Sequence, residues 1–565
     1  MKRFIILLSA FTVFACSIST DEKKARVRGP IAQKAMVVSA HPLATKVGIE
    51  VLKRGGNAVD AAIAVQFALA VVFPGAGNIG GGGFLLIREK DGKIASIDFR
   101  EKAPAAARAD MFLGETGEVI DKLSTRGHLA AGVPGSVAGM AEAHKRYGTL
   151  SWKELLQPAI ELALNGFELT EKEAADLNSV QEDLKKYNTV LPENLMKDEW
   201  KKGDIIYYKD LGHTLERIRD NGRDGFYKGK TADDIVAEMQ RGNGLITHDD
   251  LENYEAVWRD PITGWYKDYK IISMAPPSSG GIALLQLLKS VEPYPIKNWG
   301  HNTSKTVHLM TEAERRVYAD RAQHLGDPDF FKVPLKQLIS DQYNDDRMST
   351  FNPEKATPSA EVSAGLIQAY TESEETTHFS IVDPFGNAVA LTTTINGWYG
   401  NTVVVAGSGF FLNNEMDDFS AKPGTPNMFG VIGGEANKIE PGKRMLSSMT
   451  PTIVEKDDQL LMIVGTPGGS TIITSVFQVI LNVLEHGMSM QEAVNAKRFH
   501  SQWLPDLITA EENAFDEATT KSLEVLGHTF RYRRGIGRVD AILVLKDGRY
   551  EGGADPRGDD YAEGF

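Results

Sequence analysis

The chain contains a single cysteine, Cys16, among 565 residues. One thiol cannot close an intramolecular disulfide, build a thiolate metal cluster or resolve a redox partner. The twelve histidines show no H-E-x-x-H and no paired helical spacing, so a zinc hydrolase has no ligand set. A G-x-S-x-G elbow and a Walker loop are also missing. No Lys/Arg block interleaved with aromatics appears, and the net charge of −14 argues against nucleic acid as a partner. Beyond the N-terminal segment there is no second apolar span of membrane length. A hydrolytic or transfer enzyme built from this chain must therefore find its nucleophile outside metal, thiol and serine-elbow chemistry.

The N-terminal fifteen residues, MKRFIILLSAFTVFA, place Lys2 and Arg3 before an apolar run from Phe4 to Phe14. That run is too short to span a bilayer and matches a secretory signal. Val13 and Ala15 precede Cys16, so the end reads both as an ordinary cleavage site and as a lipobox, and Cys16 is the candidate lipid carrier. The expected location is periplasmic, free or held to the membrane by that lipid. A polar tether follows over residues 16–35.

Ordered patterns begin after it. Residues 44–74 read as two helices split at Gly55-Gly56, with Asn57 as N-cap and Asp60 in the first turn of the second. That second helix is apolar on nearly every side and belongs inside a large core. Further helical patterns lie at 152–165, 230–240, 281–290, 305–324 and 471–486. Strand patterns lie at 84–89, 94–99, 270–274, 378–382, 388–395, 452–455, 460–465 and 540–546. Without strict βαβ alternation, these favour an α+β sandwich of layers over a doubly wound sheet. Residues 420–451 carry four prolines and five glycines, follow neither hydrophobic period and read as a lid. The Gly75-to-Gly80 run matches G-x-G-x-x-G, but a helix precedes it and a strand follows, the reverse of a dinucleotide site. A tight turn with close backbone packing is the better reading.

One stretch offers an unusual nucleophile. In ESEETTHFSIVDPFGNAVALTTTIN, residues 372–396, Thr376 and Thr377 head a β-hairpin that turns at Asp383 to Asn387. Thr376 could serve if the chain cuts itself just before it, because the freed α-amino group, with a pKa of about 8, can take the hydroxyl proton. Taken alone, the segment is better read as a strand start, since threonine is β-branched.

Distant motifs reverse that preference. TTHFS (376–380), LNNEMDDFSAKPG (412–424), KRMLSSMTPTIV (443–454) and GTPGGS (465–470) closely resemble the γ-glutamyltransferases of the N-terminal nucleophile hydrolase superfamily. GGNAVDAAIAV (55–65), GNIGGGGF (77–84), DFREKAP (98–104), PPSSGG (276–281) and YADRAQHLGDPDF (318–330) extend the resemblance from about residue 36 to the C-terminus. It implies a four-layer αββα fold and cleavage between Glu375 and Thr376. The large subunit would be 36–375 and the small subunit 376–565, paired as a heterodimer. It also implies glutathione and related γ-glutamyl compounds as donors, water, amino acids or dipeptides as acceptors, and no metal or organic cofactor.

Site roles follow residue by residue. Thr376 matches the nucleophile and Thr394 the threonine that supports it, while Thr377 receives no catalytic role. Arg100 matches the arginine for the donor α-carboxylate, where a planar guanidinium forms a bidentate pair, and Ser447 and Ser448 add hydroxyls. Asn396, Glu415 and Asp418 match the acceptors of the α-ammonium, and two acids there favour a free amino group. Gly468 and Gly469 match the oxyanion-hole pair, where losing one donor costs about 3 kcal/mol of barrier. Phe429 stands in the lid where some bacterial members carry a tyrosine that bonds across the pocket to the residue matching Asn396. A phenyl ring offers no such donor, so the lid closes by packing or stays looser. Its presence favours a sheltered small-substrate site over a polymer groove. The alternatives are a related acylase for poly-γ-glutamate or glutaryl amides, and an inactive surface lipoprotein.

Overall fold

Every residue of the strand Thr377–Val382 is buried, yet successive side chains serve two different interiors. Phe379 and Ile381 join a core with Val65 and Leu69, whereas Val382 joins another with Ile453 and Ile542. A strand buried on both faces lies inside a stack of layers. The computed structural model, which describes residues 26–363 and 376–565 apart from Pro423 and Phe429, has that stack. The signal segment, Cys16, Glu375 and Phe429 lie outside the described residues.

Two seven-stranded sheets form the middle. One runs Tyr561–Gly564, Met36–Ser39, Thr377–Val382, Ala388–Thr394, Gly82–Arg88, Ile94–Asp98, Val257–Arg259. The other runs Ile31–Ala32, Tyr550–Gly553, Asp540–Val544, Gln459–Gly465, Thr452–Lys456, Tyr269–Ser273, Ile262–Tyr266. All neighbours in both are antiparallel. The sheets meet through Met36, Val38, Leu86 and Ala390 of the first and Ile272, Ile453, Ile463 and Ile542 of the second. Both sheets contain strands from before Glu375 and strands from after Thr376, so a cut between them leaves the layers interlocked.

Helices cover the outer faces. Pro42–Lys53 and Ala58–Val72 pack on the first sheet with Trp152–Asn165 behind Ala58–Val72, and Gly280–Val291 and Thr471–Leu484 pack on the second with Ser304–His324 behind Gly280–Val291. This is the αββα sandwich that the resemblance implies. Ala58–Val72 has no polar face because all fifteen of its residues are buried. Its start is fixed as the residue types require: the Asn57 side chain accepts from the N–H groups of Val59 and Asp60, and Asp60 accepts from Asn57 N–H at 3.0 Å. The 420–451 segment contains no α-helix or sheet strand among its described residues, only a short turn of 3-10 helix at Glu435–Asn437.

Candidate active site

The pairing Thr377↔Thr393 between the two central strands sets Thr376 beside Thr394 at the strand ends. Even-numbered residues of both strands face the second sheet, as Val382 and Ala390 show, so the two threonines open into the gap between the sheets. They line one cleft together with Arg100, Asp418, Ser448 and Gly469. Thr376 is 5% exposed and Thr394 3%, which keeps a reacting group there largely out of bulk water. The Thr394 hydroxyl accepts from the N–H of Asn396 at 2.7 Å, leaving its own proton to be donated elsewhere. Behind Thr376, His378 bonds Thr392 and Ser380, and burial lowers its pKa to about 3, so it stays neutral.

Gly468 and Gly469 form the turn between the strand Gln459–Gly465 and the helix Thr471–Leu484, with φ of +139° and +52°. Both values fall where a side chain is strained. A Cβ on Gly468 would also sit 2.6 Å from Thr471 Oγ1. Gly469 reaches the cleft wall beside Thr376, and Gly468 lies one residue behind it. Among the described residues no group accepts from either N–H. Two donors on a side-chain-free turn suit a developing oxyanion.

Arg100, Glu415 and Asp418 meet in a single buried cluster. Arg100 Nη1 lies 2.5 Å from Glu415 Oε2, Nη2 pairs with Asp418 Oδ2, and Glu101 is 3.3 Å from Nη1. Sequence matching assigns Arg100 and the two acids to opposite ends of a donor; here they touch, because a buried charge is tolerable only when paired. Burial works against the charge of Arg100, but Glu415, Glu101 and Asp418 outweigh it and hold the guanidinium above its ordinary range. Burial also pushes Glu415 and Asp418 above the usual carboxylate range, against the pull of Arg100, and takes Glu101 up to about 8. Asn396, at φ +68°, donates its amide to Asn414 O at 2.9 Å.

Ser447 and Ser448 sit on a loop clamped by the PPSSGG segment. Ser447 N–H donates to Pro277 O at 2.9 Å, Ser279 N–H to Ser447 O at 2.7 Å, and Ser278 Oγ to Met449 O at 2.6 Å. The cleft thus brings eight of the ten candidate site residues to one wall or another; Glu415 joins through Arg100 and Gly468 through Gly469. A threonine pair, a glycine turn and a cation–acid–serine pocket within one cleft are the parts of an acyl-transfer site for an amino-acid-like donor. Residues 44–565 match the family described as gamma-glutamyltranspeptidase.

The chain belongs to the gamma-glutamyltranspeptidase family. It is 47% identical over 544 residues to the glutathione hydrolase proenzyme of Escherichia coli K12, covering 94% of this chain and 92% of the relative. The crystal structure of Helicobacter pylori gamma-glutamyltranspeptidase matches with a TM-score of 0.57 and 44% identity, over 60% of this chain and 96% of that one. A cephalosporin acylase from Bacillus halodurans superimposes with a TM-score of 0.85 at 25% identity, over 97% of this chain and 98% of that one.

Four residues of this gamma-glutamyltranspeptidase site escaped the sequence reading. Asn78 donates its amide to Thr394 O at 2.9 Å and pins the strand end. Asn414 accepts from Gly397 N–H at 2.7 Å and, through its carbonyl, from the Asn396 amide at 2.9 Å. Arg321 enters the cleft from the helix Ser304–His324 and donates to Ser448 Oγ at 3.0 Å. Met428, in the lid, meets the Asn396 amide with its sulfur at 3.6 Å. Three of these stand inside or beside motifs already singled out, GNIGGGGF, LNNEMDDFSAKPG and YADRAQHLGDPDF, which is the signal that could have found them.

Proposed function

We propose that the chain cuts itself between Glu375 and Thr376 and then works as a γ-glutamyltransferase and glutathione hydrolase. The observation that carries this reading is the side-by-side placement of Thr376 and Thr394 in a cleft that holds a glycine turn and an arginine–acid–serine pocket. The Thr376 hydroxyl attacks the carbonyl before it, and an N-to-O acyl shift followed by water leaves two chains, one ending at Glu375 and one beginning at Thr376. The new α-amino group then accepts the hydroxyl proton as Thr376 attacks the γ-carbonyl of a donor. The amine leaves with a proton, and the γ-glutamyl ester on Thr376 passes to water or to the amino group of an amino acid or dipeptide. Gly468 and Gly469 stabilise the tetrahedral oxygen. Arg100, Ser447 and Ser448 take the α-carboxylate, and Asn396, Glu415 and Asp418 the α-ammonium.

A glutaryl donor brings no ammonium to these two acids, which then have only partners within the protein such as Arg100, so the glutaryl-acylase alternative is disfavoured. Export rests on the Lys2, Arg3 and Phe4-to-Phe14 pattern, with Cys16 as the residue for a lipid anchor. N-terminal sequencing of purified protein tests both processing events, with one chain beginning at Thr376. Thr376→Ala should remain a single polypeptide without activity on γ-glutamyl 4-nitroanilide. Two normal subunits from that variant, or a wild-type preference for the glutaryl anilide, would refute the reading.

A further inference from the structure

Among the described residues two arginines line the cleft, and their surroundings differ. Arg100 meets three carboxylates. Arg321 is 6% exposed, and among the described residues no carboxylate comes within 4 Å of it. Its guanidinium spends its donors on hydroxyls: Nε donates to Ser279 Oγ at 2.9 Å and Nη2 to Ser448 Oγ at 3.0 Å. Asp418 acts on it only from beyond ion-pair distance, so this buried cation is partly compensated, and an anion arriving beside it relieves the remaining cost.

A serine hydroxyl has one proton. Ser448 Oγ accepts from Arg321, and Ser447 Oγ accepts from Met449 N–H at 3.1 Å, so each hydroxyl keeps its proton for a further acceptor. Ser279 carries the second prong, because its hydroxyl accepts from Arg321 and donates to Ser447 O at 2.6 Å. Arg321 therefore reaches the Ser448 hydroxyl directly and the Ser447 backbone carbonyl through Ser279, and it lines the same cleft as Thr376.

We infer that Arg321 is the second cation of the carboxylate end: through Ser448 it turns a hydroxyl toward the donor α-carboxylate and selects donors that carry one. This rests on the γ-glutamyl reading above. Arg321 is a positioning residue, distinct from Arg100, which is already neutralised by Glu415 and Asp418.

The test compares γ-glutamyl 4-nitroanilide with 4-aminobutyryl 4-nitroanilide, the same donor without its α-carboxylate. Matured Arg321→Gln should lose about thirtyfold in kcat/KM on the first, mostly through KM, and less than about threefold on the second. Arg321→Lys should recover part of the loss. Adding Ser448→Ala to Arg321→Gln should cost less than about threefold more, because the two act as one unit. Equal losses on both anilides, or multiplying losses in the double variant, would overturn the inference. If Arg321→Gln does not mature, the same ratio is read from Arg321→Lys: discrimination reduced by about threefold or more supports the inference, and an unchanged ratio overturns it. An inactive wild type would remove the donor reading and this inference together, whereas an active wild type with unchanged discrimination removes the inference alone.

Discussion

The side-chain amide of Asn78 donates to the carbonyl of Thr394 at 2.9 Å, while its oxygen accepts from Ser136 Oγ at 2.6 Å and from Gly81 N–H at 3.1 Å. Three polar groups on three segments are thus satisfied by one buried residue at the end of the strand that carries Thr394. Asn78→Ala leaves all three unpaired away from water, and each such group costs about 1–3 kcal/mol. The variant should fold with a destabilisation of about 3 kcal/mol or more and mature slowly, read as the fraction of cut chain against time. Wild-type stability together with wild-type maturation would show that Asn78 does not hold the strand end.

Gly81 tests the same junction by steric means. A Cβ there would stand 2.0 Å from Thr394 O and 2.8 Å from Asn78 Oδ1, both parts of the frame that cannot swing away. Gly81→Ala should destabilise by about 3 kcal/mol and give little mature enzyme. Gly92→Ala is the control: Gly92 has φ +87° but nothing within 4 Å of a Cβ, so only backbone strain of about 1 kcal/mol applies and maturation stays normal. Equal maturation of the two variants would remove the argument from close approach.

Asp417 predicts a pH effect. It accepts from Ser124 Oγ at 2.6 Å and from Met428 N–H in the lid at 2.7 Å, and burial pushes its pKa up to about 6, with Asp418 nearby adding to the shift. The folded chain then holds a proton that the unfolded chain releases near pH 4, so this group makes stability fall as pH rises through the window up to about 6. Asp417→Asn removes the titration. The unfolding free energy of the variant, taken relative to the wild type, should therefore rise between pH 4.5 and about 6.5 and level off above it. Denaturant titrations in the uncut Thr376→Ala background keep unfolding unimolecular. A constant difference across that range would contradict the assignment.

Much of the frame was legible because its central strands are buried on both faces. The patterns at 378–382 and 388–395 fall on Thr377–Val382 and Ala388–Thr394, and the all-apolar helix falls on Ala58–Val72. Edge strands were not legible: Ile31–Ala32 and Tyr561–Gly564 are too short to show a period. The helix Glu171–Tyr187 was also missed, although Thr170 and Glu173 spell its capping box. In the site, family motifs pointed to residues that line the cleft but not to those that hold them in place. Asn78 lies 316 residues from Thr394 and Arg321 lies 127 from Ser448, so only the folded layers bring them together.

The lid gives the last prediction. A sequence match points to Phe429 as the residue opposite Asn396, and that residue lies outside the described ones. Its neighbour makes the contact: Met428 Sδ is 3.6 Å from Asn396 Nδ2 and 3.5 Å from Asn414 Nδ2, while Asn427 donates to Asp418 Oδ1 at 3.2 Å. A thioether is a weak acceptor, so the sulfur adds packing and a little polarity where a phenol would add a full hydrogen bond. Met428→Ala keeps the backbone bond to Asp417 but removes both sulfur contacts. It should raise KM for γ-glutamyl 4-nitroanilide by about three- to tenfold with kcat changed less than about twofold, and it should speed proteolytic cutting within 420–451. Met428→Leu retains the apolar volume without the sulfur and should fall between. An alanine variant with unaltered KM and unaltered proteolysis would mean that the lid is held elsewhere, at Asn427 and Asp417.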